Sequence, residues 1–517
     1  MSLSQYLEIL SKRKSIWNLN QDFNQEKAAA LAGILELGHP SAIQRLIPFL
    51  RDSEPEIQQA VCNVIVLLFD KIDSKQGYYD MLKYCEISLS DLGYYQRLFS
   101  PEKFLTLLAV ASFNSNGFLR ERAVAELGKS GNGRAVPFIL YRLADWVGQV
   151  RQCALIEIEK FRQQQFIDAL IANLAIIKWL KQVERTNLTA VFGNLMKFVL
   201  VENRQYITNN FKSFSDTVRF IIARHITESA NLLERHELNL FMRDRHFLIR
   251  NVVISRFAEL LPSDIDRLLT DKSAKVRLET LYRLKDRASF FEIVYPFVFD
   301  PSPSVRDFAR FALKNSMLDF PALYNKNLIE GKQVMASLTG LAETNGKQFA
   351  ESIVPYLTGT TVKVKGAAFV ALQKLDNRQA YEFALRNLDN KQIGIRRLVV
   401  HYCAASPTTE ILDRAREIYK QGNPELRKSM IRIFASVGRW TAVADIMIGT
   451  IDEDIAIRQF SADHLQKWKV KATSFFTQPT PAERERSKQV FNVVYKVHEQ
   501  EHFFEKNPLT DVDFYLR

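Results

Sequence analysis

An aliphatic residue followed by a basic one returns about every 31 residues over most of this chain. Reading back from the C-terminal side, the pairs are Ile457-Arg458, Leu426-Arg427, Ile395-Arg396 and Val364-Lys365. Past one weak unit near Val334 they continue as Val305-Arg306, Val276-Arg277, Ile249-Arg250 and Val218-Arg219. Fainter copies stand at Val150-Arg151, Leu119-Arg120 and Ile57-Gln58. A fixed period of this size means one small supersecondary unit copied along the chain. Each copy buries its apolar face on its neighbours, so 517 residues form an array and not several separate cores.

The unit can be read residue by residue. Four places before the basic residue stand Ser302, Ser273, Thr361 and Asn423, all helix N-cap types. Three places before it stand Pro55, Pro303 and Pro424, where a first helical turn tolerates proline because that N–H has no partner anyway. The aliphatic-basic pair therefore belongs to the first turn of a helix. Val305, Phe308, Ala309, Ala312 and Leu313 then give that helix one buried stripe. A second apolar helix precedes it, over residues 43–50, 136–143, 291–299 and 353–357. Pro48, Pro296 and Pro355 recur inside it, ten places before the basic residue, and predict a bend. The unit is a bent helix, a short turn and a straight helix.

Over residues 25–469 this pattern resembles the HEAT-repeat family. The fold expected from it is all-α, a right-handed α-α superhelix of about fourteen two-helix repeats. With helices packed ~8–10 Å apart it would form an arc on the order of 100 Å. Residues 1–24 are expected to cap the N-terminal end, residues 25–470 to form the array, and residues 471–517 to form a capping helix and tail. The pattern lapses near residues 83–99, 181–192 and 332–341. Residues 73–117, with Tyr78, Tyr79, Tyr94 and Tyr95, read as an insertion or a local break.

An aspartate recurs six places before the arginine: Asp145 with Arg151, Asp244 with Arg250, Asp271 with Arg277, Asp300 with Arg306, Asp452 with Arg458. In-register opposite charges predict a ladder tying the turns of neighbouring repeats together. Where the aspartate lapses to Asn390 or Gln421, Arg396 and Arg427 are expected to be freer. Outside the ladder, Arg283, Lys285, Arg310, Lys314, Arg397, Lys428 and Arg432 remain on the outer face of the straight helices. The resemblance implies that straight helices line the inner curve, which would put these seven on a concave basic groove. The bland reading is a solvated face.

The net charge of +12 is diffuse, with its largest basic excess over residues 363–439 and no run of five or six cations. Four scattered cysteines, Cys62, Cys85, Cys153 and Cys403, sit in apolar helical contexts and read as buried thiols in a reducing compartment. The start has no apolar core of signal-peptide length, and the longest apolar stretches are about half what a bilayer requires. The expected location is the cytoplasm.

Two constellations invite chemistry. His498-Glu499-Gln500-Glu501-His502 spells H-E-x-x-H, in which a helix would present both imidazoles on one face to zinc, with Glu499 activating a metal-bound water. Glu505, Asp511 or Asp513 would have to supply a third ligand, and no sheet backs the helix. Five tryptophans, Trp17, Trp146, Trp179, Trp440 and Trp468, invite comparison with HEAT-like DNA glycosylases, although tryptophan in helical arrays is usually core or interface filler. No phosphate-binding loop, dinucleotide fingerprint, nucleophile elbow or C-x-x-C pair occurs. The sequence therefore favours a non-enzymatic scaffold without cofactor, a monomer or partner-bound, holding another protein along its concave face. A nucleic-acid-binding or glycosylase-type protein is the second reading, and a zinc metallopeptidase the third.

Overall fold

A computed structural model describes residues 1–13, 23–229, 233–474 and 478–516. Every regular element among them is helical, with no strand. The chain divides into two compact units, Met1–Glu279 and Thr280–Arg517. No described helix is long and apolar enough to cross a membrane.

Both units are built from HEAT-like helix pairs. The first helix of a pair bends where the recurring proline removes a backbone donor. Ala42–Leu46 gives way to the 3-10 turn Ile47–Arg51 at Pro48, and Phe290–Val294 to Tyr295–Phe299 at Pro296. The second helix opens as expected, with Pro55, Pro303 and Pro424 in the first turn and Thr361 and Asn423 capping with their side chains. Ser302 makes no side-chain cap; its own N–H donates to Asp300 Oδ1 at 2.7 Å. The aliphatic partners Leu119, Val150, Ile249, Val276 and Val305 are wholly buried. Second helices pack on second helices, as Gly117–Lys129 does on Gly148–Glu159 and Ile393–Ala405 on Pro424–Val437. Cys62, Cys85 and Cys403 are buried, and burial pushes each thiol up to about 12.

The charge ladder exists, but its pairing differs from the expectation. Each arginine donates backwards to main-chain carbonyls of its own turn: Arg151 to Asp145 O at 2.8 Å, Arg250 to Asp244 O at 2.8 Å, Arg306 to Asp300 O at 2.7 Å, Arg458 to Asp452 O at 2.8 Å. The aspartate carboxylate caps the turn and accepts the arginine of the preceding repeat. Arg120 reaches Asp145, Arg219 reaches Asp244 and Arg250 reaches Asp271, each through two nitrogens. Arg306 finds Glu343. Arg396 and Arg427 are not free either: Arg396 pairs with Glu425 at 2.6 Å, and Arg427 with Glu453 at 2.6 Å and Asp452 at 3.2 Å. At the start of the array Lys27 takes the arginine's place against Asp52, at 2.6 Å, while Gln58 supplies the backbone hydrogen bond to Asp52 O.

A second ladder, not anticipated, joins the first helices. Arg204 pairs with Glu237, Arg235 with Asp264 and Arg416 with Asp445. Glu237 and Asp264 also accept the N-cap backbone N–H of their own helices, so one carboxylate closes a helix start and ties it to the previous repeat. Beyond the array, Pro481–Glu501 packs on Val443–Gly449 through Arg486 and Asp445. The last residues fold back so that Lys469 Nζ donates to Pro508 O at 3.1 Å and the Tyr515 ring lies 5.8 Å from Trp468.

Candidate functional site

The seven cations of the expected basic face do not share one environment. Residues one, five and eight places beyond the ladder residue lie on one side of a helix. In Thr280–Arg517 that side carries Tyr282, Phe311, Arg397, Lys428 and Arg432, with Lys285 and Lys314 just past the ends of helices Ala274–Leu284 and Pro303–Ala312. The Lys285 ammonium lies 4.5 Å from the Tyr282 ring centre and that of Lys314 4.6 Å from Phe311. Lys428 and Arg432 lie 5.1 and 5.7 Å from the ring of Phe460 on the adjoining second helix Ile455–Ala472. Aromatic rings that are exposed or half-buried thus sit under the cations, at distances where the ring quadrupole attracts them.

Arg310 does not belong to this stripe. Its Nη1 donates to Glu343 Oε2 at 2.8 Å and to the Tyr324 hydroxyl at 3.1 Å, which makes it a second cation on the Arg306 rung. Burial pushes the Glu343 carboxyl up, but hydrogen bonds from Arg306 and Arg310 outweigh it and hold the group below its ordinary value. Arg283 is exposed one place off the stripe.

The H-E-x-x-H pair does not form a shared face. Pro481–Glu501 ends before His502, which adopts a left-handed φ of 49°. His498 turns inward, 4% exposed, with Nε2 2.8 Å from Thr450 Oγ1. Burial first, then nearby Arg458, lowers its pKa. The histidine spacing held, but the helix ended one residue too early for both to face one ion. Among the described residues no group of three or more His, Cys, Asp or Glu could hold a metal.

Of the tryptophans, Trp17 lies outside the described residues, and Trp440 and Trp468 pack edge-on at 5.5 Å. Asp145, the acid beside Trp146, is no free base. Its oxygens accept Arg120 twice, Arg142 once and the Val147 N–H, all at 2.9 Å, which fills the acceptor positions of a carboxylate.

The irregular segment near Tyr78 and Tyr79 holds what the sequence reading missed. Helix Lys75–Leu82 presses both tyrosines into an aromatic cluster: the Tyr78 ring stacks on Phe113 at 5.0 Å, and Tyr79 meets it edge-on at 5.2 Å. Beside this cluster opens a cavity of ≈ 460 Å³, lined by Lys75, Tyr79, Lys83, Arg142, Trp146 and Arg185 among others. Arg142, 1% exposed, crosses its floor with the guanidinium 4.6 Å from the Phe113 ring and 5.0 Å from that of Tyr79. Burial lowers the Arg142 pKa. The Lys75 ammonium rests 3.6 Å from the ring centre of Trp179. Burial, then the charges of Arg142 and Arg185, bring the Lys75 pKa down to about 8. Of the residues gathered here the sequence reading had singled out Tyr79, Asp145, Trp146 and Trp179, though not as one site; Lys75, Arg142 and Arg185 follow no repeat register.

No family model and no curated protein matches this chain. Among solved structures it is similar to importin beta crystallised in an ammonium sulfate condition, with 11% identity and a TM-score of 0.34, over 95% of this chain and 70% of that one. It is similar to a mutant of Kap121p, with 11% identity and a TM-score of 0.33, over 100% of this chain and 63% of the other. An engineered protein aligns at 12% identity with a TM-score of 0.17, over 91% of this chain and 99% of that one. Scores at this level leave the architecture to rest on the chain's own geometry.

Proposed function

We propose that this protein is a non-enzymatic scaffold that holds another protein along the face carried by its second helices in Thr280–Arg517. The observation that carries the reading is the stripe of Lys285, Lys314, Arg397, Lys428 and Arg432, interleaved with Tyr282, Phe311 and Phe460. Rings flanked by cations combine apolar contact area with positive charge. That suits an acidic protein segment bearing apolar side chains, because aromatic and arginine side chains dominate binding energy while surrounding charge steers approach. The ladder arginines support the reading by exclusion. Their guanidiniums are engaged within the fold, which removes the ladder as the competing basic surface.

The test compares partners captured from the source cell by the wild-type chain and by a variant with all five stripe cations changed to Gln. The expected result is one acidic partner that binds the wild type and is lost from a variant of unchanged melting temperature. Partners retained equally by both would overturn it. Nucleic acid is the competing occupant, and a salt titration separates it. Backbone-dominated binding of duplex DNA or RNA, weakening steeply with salt, would replace the scaffold reading.

A further inference from the structure

We infer that the cavity beside Lys75–Leu82 is a binding site for a small phosphate monoester whose organic part is a flat ring. The argument begins with charge. Arg120 and Arg142 are both buried and share the single carboxylate of Asp145. Arg120 takes two of its bonds and donates its remaining nitrogen to the carbonyls of Asn114 and Ser115, so each of its nitrogens has a partner. Arg142 takes one bond to Asp145, gives another nitrogen to the Tyr79 hydroxyl, and leaves Nε buried with no hydrogen-bond partner. One carboxylate against two desolvated guanidiniums leaves a positive charge uncompensated where compensation matters most.

The surroundings add to that charge. Lys75 and Arg185 line the same cavity and make no ion pair among the described residues; burial first, then the charges of Arg142 and Arg185, lowers the Lys75 pKa. The other acid in the lining, Asp80, is exposed and accepts from Gln76 at 2.7 Å along its own helix. Arg142 is the buried member of this group, and replacing a buried, incompletely paired charge with an apolar side chain is often neutral or stabilising, so folding alone does not call for it. An anion entering the cavity reverses that balance. A phosphate supplies several acceptor oxygens and up to two negative charges, and guanidinium and ammonium groups together are its usual recognition set.

The walls specify the rest of the ligand. Tyr79, Phe113 and Trp146 line the cavity, and Trp146 is 59% exposed with the Arg120 guanidinium 5.5 Å from its ring. An indole held in place on one side and open on the other is a stacking surface for a planar group. The volume lies within the range of about 300–1,000 Å³ that small-molecule sites occupy.

The test is calorimetric titration of the full-length protein with adenosine 5′-monophosphate, inorganic phosphate and adenosine. The nucleotide is expected to bind one per chain, with inorganic phosphate about tenfold weaker or more and adenosine weaker still. Lys75→Met and the exposed Arg185→Ala should each lower nucleotide affinity by roughly tenfold. Lys391→Ala, at an exposed position in the other unit, should leave it unchanged. Because Arg185 is exposed, its variant is expected to fold, and equal melting temperatures verify that. Absence of binding by both phosphate compounds, or binding indifferent to both cavity variants, would overturn the anion site. Adenosine binding as tightly as its phosphate would do the same. Inorganic phosphate binding as tightly as the nucleotide would overturn the flat organic part.

Discussion

Arg142 in the first unit and Arg306 in the second are both 1% exposed, yet they are closed in opposite ways. Arg306 stands at the repeat's register position. Its Nη1 meets the carbonyls of Asp300 and Pro301, and its other two nitrogens meet Glu343. Arg142 ends a first helix outside any ladder position, leans on two aromatic rings, and shares one acid with another arginine. Ladder arginines each meet a carboxylate from further along the array, 25 residues on for Arg120 and Arg219, 21 for Arg250 and 37 for Arg306, so their buried charge is compensated. A break in the repeat offers no such guarantee, and there the chain holds charge in excess.

The contrast can be broken most sharply by truncating each arginine. Arg306→Ala strands part of the Glu343 carboxylate at a repeat junction and should cost about 3 kcal/mol in urea unfolding, since removing one partner of a buried pair leaves the other uncompensated. A loss like that of a surface substitution would mean the rung is decorative. Arg142→Met should cost less than about 1 kcal/mol, or stabilise, because an apolar side chain of similar length removes an uncompensated charge. If it unfolds the protein as Arg306→Ala does, Arg142 is a satisfied structural residue.

Lys75 gives a smaller effect with a definite sign. Its folded pKa of about 8 lies below the ordinary lysine value of roughly 10.4. Between those values the unfolded chain binds the extra proton, so Lys75's contribution to stability rises with pH across that window and its penalty is complete below it. The stability difference between wild type and Lys75→Met should therefore change between about pH 8 and pH 10 in favour of the wild type. Cysteines and tyrosines cancel in that difference. Urea midpoints that shift in parallel would show Lys75 to be solvated. Smallest of all, Lys314→Ala loses only its contact with Phe311 and should change stability by less than about 0.5 kcal/mol. A larger loss would place Lys314 in the fold and remove it from the binding stripe.

Most of the fold was legible because its signals are local. N1 prolines, capping residues and the aliphatic-basic pair all act within one helical turn, so their spacing in sequence is their spacing in space. Charge partners were less legible. Asp300 lies six places before Arg306, but it meets that arginine through its backbone carbonyl, while a carboxylate comes from Glu343, 37 residues on. The seven cations of the expected basic face part company for the same reason. Lys285 and Lys314 keep the register, whereas Arg310 is drawn to a glutamate that only packing brings near. The H-E-x-x-H match failed on a local point that five letters do not encode: whether the helix carries on through the last of them.

By itself the sequence determined that this is an array of helix pairs, and where the second helices of its regular repeats begin and which side of them is buried, because periodicity and capping are written within a few residues. Only the tertiary structure decided which charges meet. Lys75, Tyr79, Phe113, Arg142, Trp179 and Arg185 span more than a hundred residues and share no period, and they are gathered by the packing of an irregular repeat against regular ones. Burial, and not spacing, makes that gathering consequential. The same cations spread over a wet surface would be screened, whereas beside a desolvated arginine with an unmet donor they create a demand for an anion.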